Sequence, residues 1–360
     1  MVRASQRDIA RQAGVSEATV SRVLNGQPGV SSTTTQTVLT AMDVLGFERP
    51  SVLRRRSVGL VGLIIPELTN PIFPSFAQTI QTALGRAGYT ALLCTQTPGG
   101  VHEDDYLQLL LDHGVAGIIN ISGLHADAEA SPQRYLSLHD VGLPMVLVNG
   151  HIAGLGVPMI SDDAYAAVEL AVTHLAELGH ERIGLASGPA RFVPVQRKLA
   201  GFREAVTRHT GLSSPQIDRL VEHQLFTIEG GAKAAELLLN RGATAIVAAS
   251  DIMALGAIRA IRDAGLRVPQ DVSVIGYDDS LLVGFTDPPL TTIRQNVAAM
   301  SEAAVQALLD VITGSSANVG EYLYRPELVV RGSTARCATR PSVSTARAGA
   351  RARRAATVRV

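Results

Sequence analysis

Residues 6–25 read QRDIARQAGVSEATVSRVLN, and this stretch decides how the chain is parsed. Ile9, Ala10 and Ala13 place a small apolar face on a first helix at the 3.6-residue period. Gly14 then supplies the left-handed backbone that a sharp turn needs, at no steric cost. Ser16 stands where an N-cap belongs, directly before a second periodic run. In that run Val20, Val23 and Leu24 share one face, while Glu17, Ala18, Ser21 and Arg22 share the other, and Asn25-Gly26 ends it. A short helix with a buried side, a polar outer side and small polar groups at its start suits a DNA major groove.

Turn and periodicity alone fit an ordinary αα-hairpin equally well. The thirteen-residue string AGVSEATVSRVLN (13–25) goes further: it closely resembles the opening of lactose-repressor-type (LacI/GalR family) regulators, AGVSxxTVSRVLN, at the same distance from the N-terminus. The resemblance implies a helix-turn-helix whose second helix reads an operator. Arg22 would pair with guanine O6 and N7, Glu17 would accept from a cytosine amine, and Ala18 would touch a thymine methyl. Ser16, Thr19, Ser21 and Asn25 would hold phosphates.

Downstream, GQPGVSSTTT is a turn-rich connection, and Ser31 or Ser32 caps a third helix from about Thr34 to Leu45, with Val38, Leu39, Met42 and Leu45 as its stripe. Residues 1–46 thus form a headpiece near the lower size limit for independent folding. Residues 47–58, FERPSVLRRRSV, are a linker: either a solvated tether or a hinge that meets DNA. In the family this segment becomes helical on DNA and wedges a leucine into the minor groove, which bends the duplex. The chain departs from the family pattern N-x-x-A-R-S-L. Aligned from Pro50, the wedge position falls on Ser57, so Leu53, the segment's only leucine, is the candidate wedge. Arg54, Arg55 and Arg56 form a phosphate-contacting patch.

From Val58 the period changes. VGLVGLII (58–65), TALLC (90–94), VAGIINI (115–121), PMVLVN (144–149), RIGLAS (182–187), TAIVAAS (244–250) and DVSVIGY (271–277) read as buried parallel strands. Helical patterns lie between most of them, which means βαβ units. So many strands suit two lobes better than one sheet, with a boundary near Ile160–Asp162. The expected fold class is α/β, a three-helix helix-turn-helix headpiece followed by a two-lobed doubly wound core of the periplasmic-binding-protein type. The core spans 59–335. Its N-lobe takes about 59–160 plus about 294–319, and its C-lobe about 162–291 plus about 321–335. PELTNPIF (66–73), ELGHERIGLASGP (177–189), RKLAGFREA (197–205), SDIMALGAIRAIRDAGLRVPQDVSVIGYDD (250–279) and PPLTTIRQ (288–295) carry the family resemblance through the core. Residues 336–360, rich in Ala, Arg, Ser and Thr, fall outside it and read as a disordered basic tail.

Charge is distributed unevenly over 360 residues of zero formal net charge. Residues 1–58 hold eight arginines against four acids, and residues 336–360 hold seven arginines and no acid, leaving the core at −11. A basic head on an acidic body fits DNA contact by the head. Two cysteines make neither a disulfide framework nor a metal set, as expected in a reducing cytoplasm. The N-terminus has no apolar signal region, and no run of eighteen apolar residues suggests a membrane span. Walker A, GxSxG and dinucleotide fingerprints are absent, and His174 and His180, six apart, do not share a helix face as a metal pair. His180 reads as a structural residue at a helix end. No cofactor, no metal and no enzymatic activity are expected.

Asp278 follows VSVIGY at the carboxyl end of a parallel strand, where open α/β sheets bind ligands. By the family match it bonds ligand hydroxyls or an amine. An Asp278–Asp279 dyad is disfavoured, since neighbours on a strand point apart. The match also puts Ile72 and Phe73 on the N-lobe wall, with Phe192 and Phe226 as further walls or as plain core. Lys198 stands where many members place arginine, and Arg197, one residue earlier, is the alternative two-pronged donor. Aromatic walls and a carboxylate suit a sugar ring, though a purine would also stack. The expected protein is a DNA-binding regulator, most simply a repressor. It would bind a pseudo-palindromic double-stranded operator as a homodimer, and a small-molecule effector between its lobes would control it. A solute-binding module without DNA function and a sugar-modifying enzyme are the competing readings.

Overall fold

The computed structural model describes residues 5–25, 27–47, 58–96, 100–315 and 319–337. It holds two compact units, a small helical one ending at Gly59 and including Ala87–Thr90, and a large α/β one.

In the first unit, α1 (Gln6–Ala13) starts on a capping box in which the Asp8 N–H donates to Ser5 Oγ and the Ser5 N–H donates to Asp8 Oδ2. Gly14 caps its end at φ 65°. α2 (Glu17–Leu24) is capped by Ser16 Oγ, which accepts from the Thr19 N–H at 3.2 Å. α3 (Ser32–Val44) is capped by Ser31 in the same way. Ile9, Ala10, Val20, Val23, Leu24, Val38, Ala41 and Met42 form the shared core. Three caps and eight buried residues are what hold so small a unit together.

The second unit contains two six-stranded sheets. The first comprises β1 (Leu60–Ile65), β2 (Thr90–Thr95), β3 (Gly117–Ile121), β4 (Met145–Val148), β5 (Pro158–Asp162) and β11 (Gly320–Tyr324), in the order β11-β5-β4-β3-β1-β2. The second comprises β6 (Ile183–Ser187), β7 (Val221–His223), β8 (Ala245–Ala248), β9 (Ser273–Asp278), β10 (Thr291–Arg294) and β12 (Glu327–Val329), in the order β12-β10-β9-β8-β6-β7. Each repeats a doubly wound 2-1-3-4-5 order with one added strand. β3, β4, β8 and β9 are buried along their whole length, hence their unbroken apolar runs. The helices of this unit include α4 (Ile72–Arg86), α5 (Glu103–Asp112), α6 (Gln133–Asp140), α7 (Ala164–Glu177), α8 (Val193–Thr210), α9 (Ser214–Asp218), α10 (Ile228–Asn240) and α11 (Asp251–Asp263), and they cover both faces of the sheets. α10 and α11 pack unusually close, since a Cβ on Gly256 would lie 1.9 Å from the Ile228 carbonyl oxygen.

The chain crosses between lobes three times. It leaves the first sheet after β5, returns after β10 into α12 (Val297–Ile312), which packs on β3, β4 and β5, and crosses last between β11 and β12. This last crossing corrects the expected boundaries near 319–321. EYLYRPELVV reads as one run, but Glu321–Tyr324 pair with Met159–Asp162 in the first sheet, and Leu328 pairs with Ile293 in the second. Pro326 sits between the two pieces, without an N–H to continue a ladder. β5 (PMISD) and β10 (TTIR) also escaped the reading by apolar runs. Both are buried over most of their length, yet their Ser, Asp, Thr and Arg residues interrupt the pattern.

Candidate functional site

Two surfaces carry the residues singled out above. On the headpiece, Ser16, Glu17, Ala18, Arg22 and Asn25 are exposed and Thr19 and Ser21 half-buried, while Val20, Val23 and Leu24 face the core. The seven residues therefore occupy the start and outer side of α2. Ser16 and Thr19 share a hydroxyl hydrogen bond of 2.9 Å. The Asn25 amide donates to the Ser21 carbonyl at 2.9 Å and closes the helix. Arg22 is exposed on the outer side of α2, and Glu17 keeps a loose 3.8 Å pairing with Arg7. Leu53, Arg54, Arg55 and Arg56 lie outside the described residues.

In the core, the carboxyl ends of both sheets converge on a cavity of about 180 Å³ between the lobes. Pro66, Ser122, Asn149 and Asp162 come from the ends of β1, β3, β4 and β5, and Tyr277 and Gln295 from the ends of β9 and β10. Ile72 and Phe73 reach it from the first turn of α4, and Phe192, Arg197 and Lys198 from the start of α8. Phe226 lies across Gly188, where a Cβ would come within 2.0 Å of the ring, and its centroid is 6.3 Å from that of Phe192. Six of the seven expected effector residues thus line one cavity.

Asp278 stands at the end of β9, beside this cavity and not on its wall. Tyr277 faces the cavity, and Asp278, the next residue along, faces an adjoining groove because strand side chains alternate. Its carboxylate accepts from Gln295 Nε2 at 2.7 Å, and Gln295 lines both spaces. Asp279 instead pairs with Arg294 (2.7 Å) and Arg331 (2.6 Å), so the two aspartates have separate partners.

The polar wall is a chain of hydrogen bonds. Gln295 Oε1 accepts from Asn149 Nδ2 at 3.3 Å, and Asn149 Oδ1 accepts from the Asp162 N–H at 3.1 Å. The Tyr277 hydroxyl donates to Asp162 Oδ2. Asp162 Oδ1 is buried and has no hydrogen-bond partner. Burial pushes Asp162 up to about 6 and holds Asp278 well above the usual carboxylate range, the latter reinforced by the charge of Asp251. Among the described residues every non-glycine with positive φ is at such a strand end: Ser122 (47°), Asn149 (56°), Asp278 (118°) and Asp279 (56°). Strain of this kind concentrates where a site is pre-organised.

Both cations on the wall are engaged. Lys198 Nζ donates to the Ala249 carbonyl at 3.1 Å and lies 3.4 Å from the Tyr277 ring centroid. Burial lowers its pKa to about 8, against the opposing charges of Asp278 and Asp162. Arg197 grips Glu321 of the other lobe with both prongs, at 2.6 and 2.7 Å. A second cross-lobe pair joins Arg191 to Asp127 at 2.7 Å.

Residues 6–50 match the family of bacterial regulatory proteins, lacI family, and residues 172–334 match the periplasmic binding protein-like domain. The chain is 61% identical over 329 residues to the HTH-type transcriptional regulator MalR of Streptomyces coelicolor, covering 91% of this chain and 96% of that protein. The chain belongs to the lacI family. Among solved structures it resembles the transcriptional regulator CelR–cellobiose complex, with a TM-score of 0.68 and 32% identity over 92% of this chain and 100% of that one. It also resembles the lac repressor dimer bound to operator and the anti-inducer ONPF, with a TM-score of 0.66 and 29% identity over 93% and 100%. As a lacI-family protein it is a helix-turn-helix transcriptional regulator that binds DNA, and the family is not one of enzymes. Among the described residues no helix is long and apolar enough to cross a membrane.

Within this lacI-family core, sequence reasoning passed over Asn149, Asp162 and Gln295. The signal was available for Asn149, which ends the strand-like PMVLVN just as Asp278 ends its own strand. Asp162 was hidden because β5 was read only as a boundary. His180 is structural: buried, its ring meets Thr244 Oγ1, Ser273 Oγ and the Ala335 carbonyl at 3.0–3.1 Å.

Proposed function

We propose that the effector of this regulator is a small neutral polyhydroxyl compound, a sugar, bound between the lobes, and that it controls operator affinity in a repressor. The observation that carries this is the unpartnered Asp162 Oδ1 in a cavity that also presents three phenylalanine rings. A buried acceptor without a partner costs about 1–3 kcal/mol, which a ligand hydroxyl recovers. Lys198 and Arg197 are already engaged by the Ala249 carbonyl and by Glu321, so neither is free to neutralise a phosphate on the ligand. Phe73, Phe192 and Phe226 supply faces for the apolar side of a sugar ring.

The outer side of α2 supports the reading of Arg22, Glu17 and Ala18 as base contacts, with Ser16, Thr19, Ser21 and Asn25 on phosphates. One headpiece this small covers little groove, so two copies on a two-fold operator are the natural unit. Residence is cytoplasmic, at the nucleoid through DNA binding.

The test is a thermal-shift comparison of neutral sugars, sugar phosphates and nucleosides on the full chain. A ligand at 100 times its Kd adds about 2.7 kcal/mol to stability. Stabilisation by a neutral sugar that also changes affinity for a duplex selected from random sequence supports the proposal. Stabilisation only by sugar phosphates or nucleosides refutes it. A sedimentation experiment that finds only monomer, with and without DNA, refutes the two-copy assembly.

A further inference from the structure

The segment from Arg331 to Cys337 is pinned along the amino end of the second sheet. The Val274 N–H donates to the Ser333 carbonyl at 2.9 Å, the Ala335 N–H to Ser273 Oγ at 3.1 Å, and the Cys337 N–H to the Leu178 carbonyl at 2.9 Å. His174 Nε2 meets Thr334 Oγ1 at 3.0 Å, and the His180 ring meets the Ala335 carbonyl. Leu178 and His180 precede β6, and Ser273 opens β9. The carboxyl ends of both sheets converge on the cavity, so their amino ends lie at opposite poles of the core. The chain enters the core at Leu60, the amino end of β1, and leaves the described residues at Cys337, at the amino end of the other sheet. β1 and β9 have six residues each. At about 3.3 Å per residue, entry and exit are on the order of 40 Å apart.

Residues 338–360 follow that exit and lie outside the described residues. They read ATRPSVSTARAGARARRAATVRV, with Arg340, Arg347, Arg351, Arg353, Arg354 and Arg359 and with no lysine and no acid. The periplasmic binding protein-like match ends before them, at residue 334. They hold no Leu, Ile, Met or aromatic residue, so they have no apolar stripe to bury against the core and no large side chain to insert into a bilayer. Charge is what this segment carries. The acids of the C-lobe are largely claimed already: Glu169 and Glu204 pair with Arg208, Asp218 with Arg203, and Asp271 with Arg267. A DNA backbone offers six arginines a continuous row of phosphates, together with release of its condensed counterions.

We infer that residues 338–360 are a second DNA contact, independent of sequence, which takes up a duplex other than the one bound by the headpiece. The headpiece reads one duplex, and the tail holds another from the pole opposite Leu60. The core between them, at −11, keeps DNA off its own flanks. The protein therefore bridges two stretches of double helix.

The test uses the full chain with all six arginines replaced together, as Arg340→Gln, Arg347→Gln, Arg351→Gln, Arg353→Gln, Arg354→Gln and Arg359→Gln. It is compared with wild type and with the same six positions changed to lysine. One readout is affinity for a short duplex of random sequence as a function of salt. The other is capture of that duplex, labelled, by protein already bound to a bead-held duplex selected for tight binding. The glutamine variant should lose about five from the slope of log affinity against log salt per chain. It should bind the random duplex about tenfold or more weakly at low salt and capture none of it, with an unchanged melting curve. The lysine variant should keep the wild-type slope and capture. A glutamine variant with the wild-type slope, or one that still captures the second duplex, overturns the inference. A wild type that captures no second duplex overturns the bridging. A glutamine variant that melts lower while keeping its DNA affinity puts the tail on its own core and overturns the DNA contact. Capture of single-stranded RNA in place of the duplex overturns it likewise.

Discussion

Arg197 stood in the sequence as a candidate effector contact, and its geometry makes it a clasp between lobes. Arg197→Met keeps the aliphatic stem and removes the guanidinium. Glu321 would then lose two charge-assisted hydrogen bonds, at 2.6 and 2.7 Å, while its side chain is only 13% exposed and that of Arg197 27%. An exposed pair would be worth about 0–1 kcal/mol and a fully buried broken pair about 3–5. The partial exposure of both side chains places the expected cost between those limits, at about 2–3 kcal/mol. At roughly 2–4 °C per kcal/mol, the apparent melting temperature falls by roughly 4–12 °C. Glu321→Gln should cost about the same, and the double variant little more than either single one, because both remove one interaction. Burial raises the Glu321 pKa, but the Arg197 hydrogen bonds and charge outweigh it and hold the group below its ordinary 4.5. A depressed folded pKa contributes stability above the unfolded value. The gap between wild type and Arg197→Met should therefore be full above 4.5 and close as the pH falls below it. Scanning calorimetry across this range decides the matter. An unchanged melting temperature, or additive losses in the double variant, refutes the clasp and returns Arg197 to the effector.

Four further outcomes are expected. Asp162 holds its proton up to about 6 when folded against 3.8 ordinarily, so the stability its protonated form contributes is lost as the pH rises through about 6. Asp162→Asn should thus stabilise the protein above that pH, gain nothing below 3.8, and bind effector more weakly, as melting and titration at several pH values would reveal. Asp278→Ala frees the Gln295 amide and should abolish the effector response while leaving affinity for a selected operator duplex at the wild-type value; a retained response would make Asp278 purely structural. Arg22→Ala should lose about 1–3 kcal/mol of discrimination at one base position, read by selection from randomised duplexes, and an unchanged base preference would count against its role. Gly256→Ala forces a methyl to within 1.9 Å of the Ile228 carbonyl oxygen and should cost about 1–3 kcal/mol or more, measured by denaturant unfolding.

The helix-turn-helix was legible because everything that makes it is local. The Ser16 cap, the turn glycine and the 3.6-residue period all lie within the twenty residues from Gln6 to Asn25. The doubly wound core was legible for a related reason: strands buried on both faces leave unbroken apolar runs, and a ligand end follows each run. That rule, together with the family match, picked out Asp278, and the rule could have picked out Asn149. What each polar side chain does at those ends was decided only by tertiary structure. Arg197 meets Glu321 across 124 positions, and the Tyr277 hydroxyl meets Asp162 across 115. The split of Glu321–Val329 between two sheets likewise depends on which strand lies alongside. Periodicity reports which face of an element is buried, because that is a property of neighbours in the chain. It carries no information on which strand ends converge, so the partners of Arg197 and Asp162 exist only once both lobes are folded, and that of Asp278 only once β9 lies beside β10.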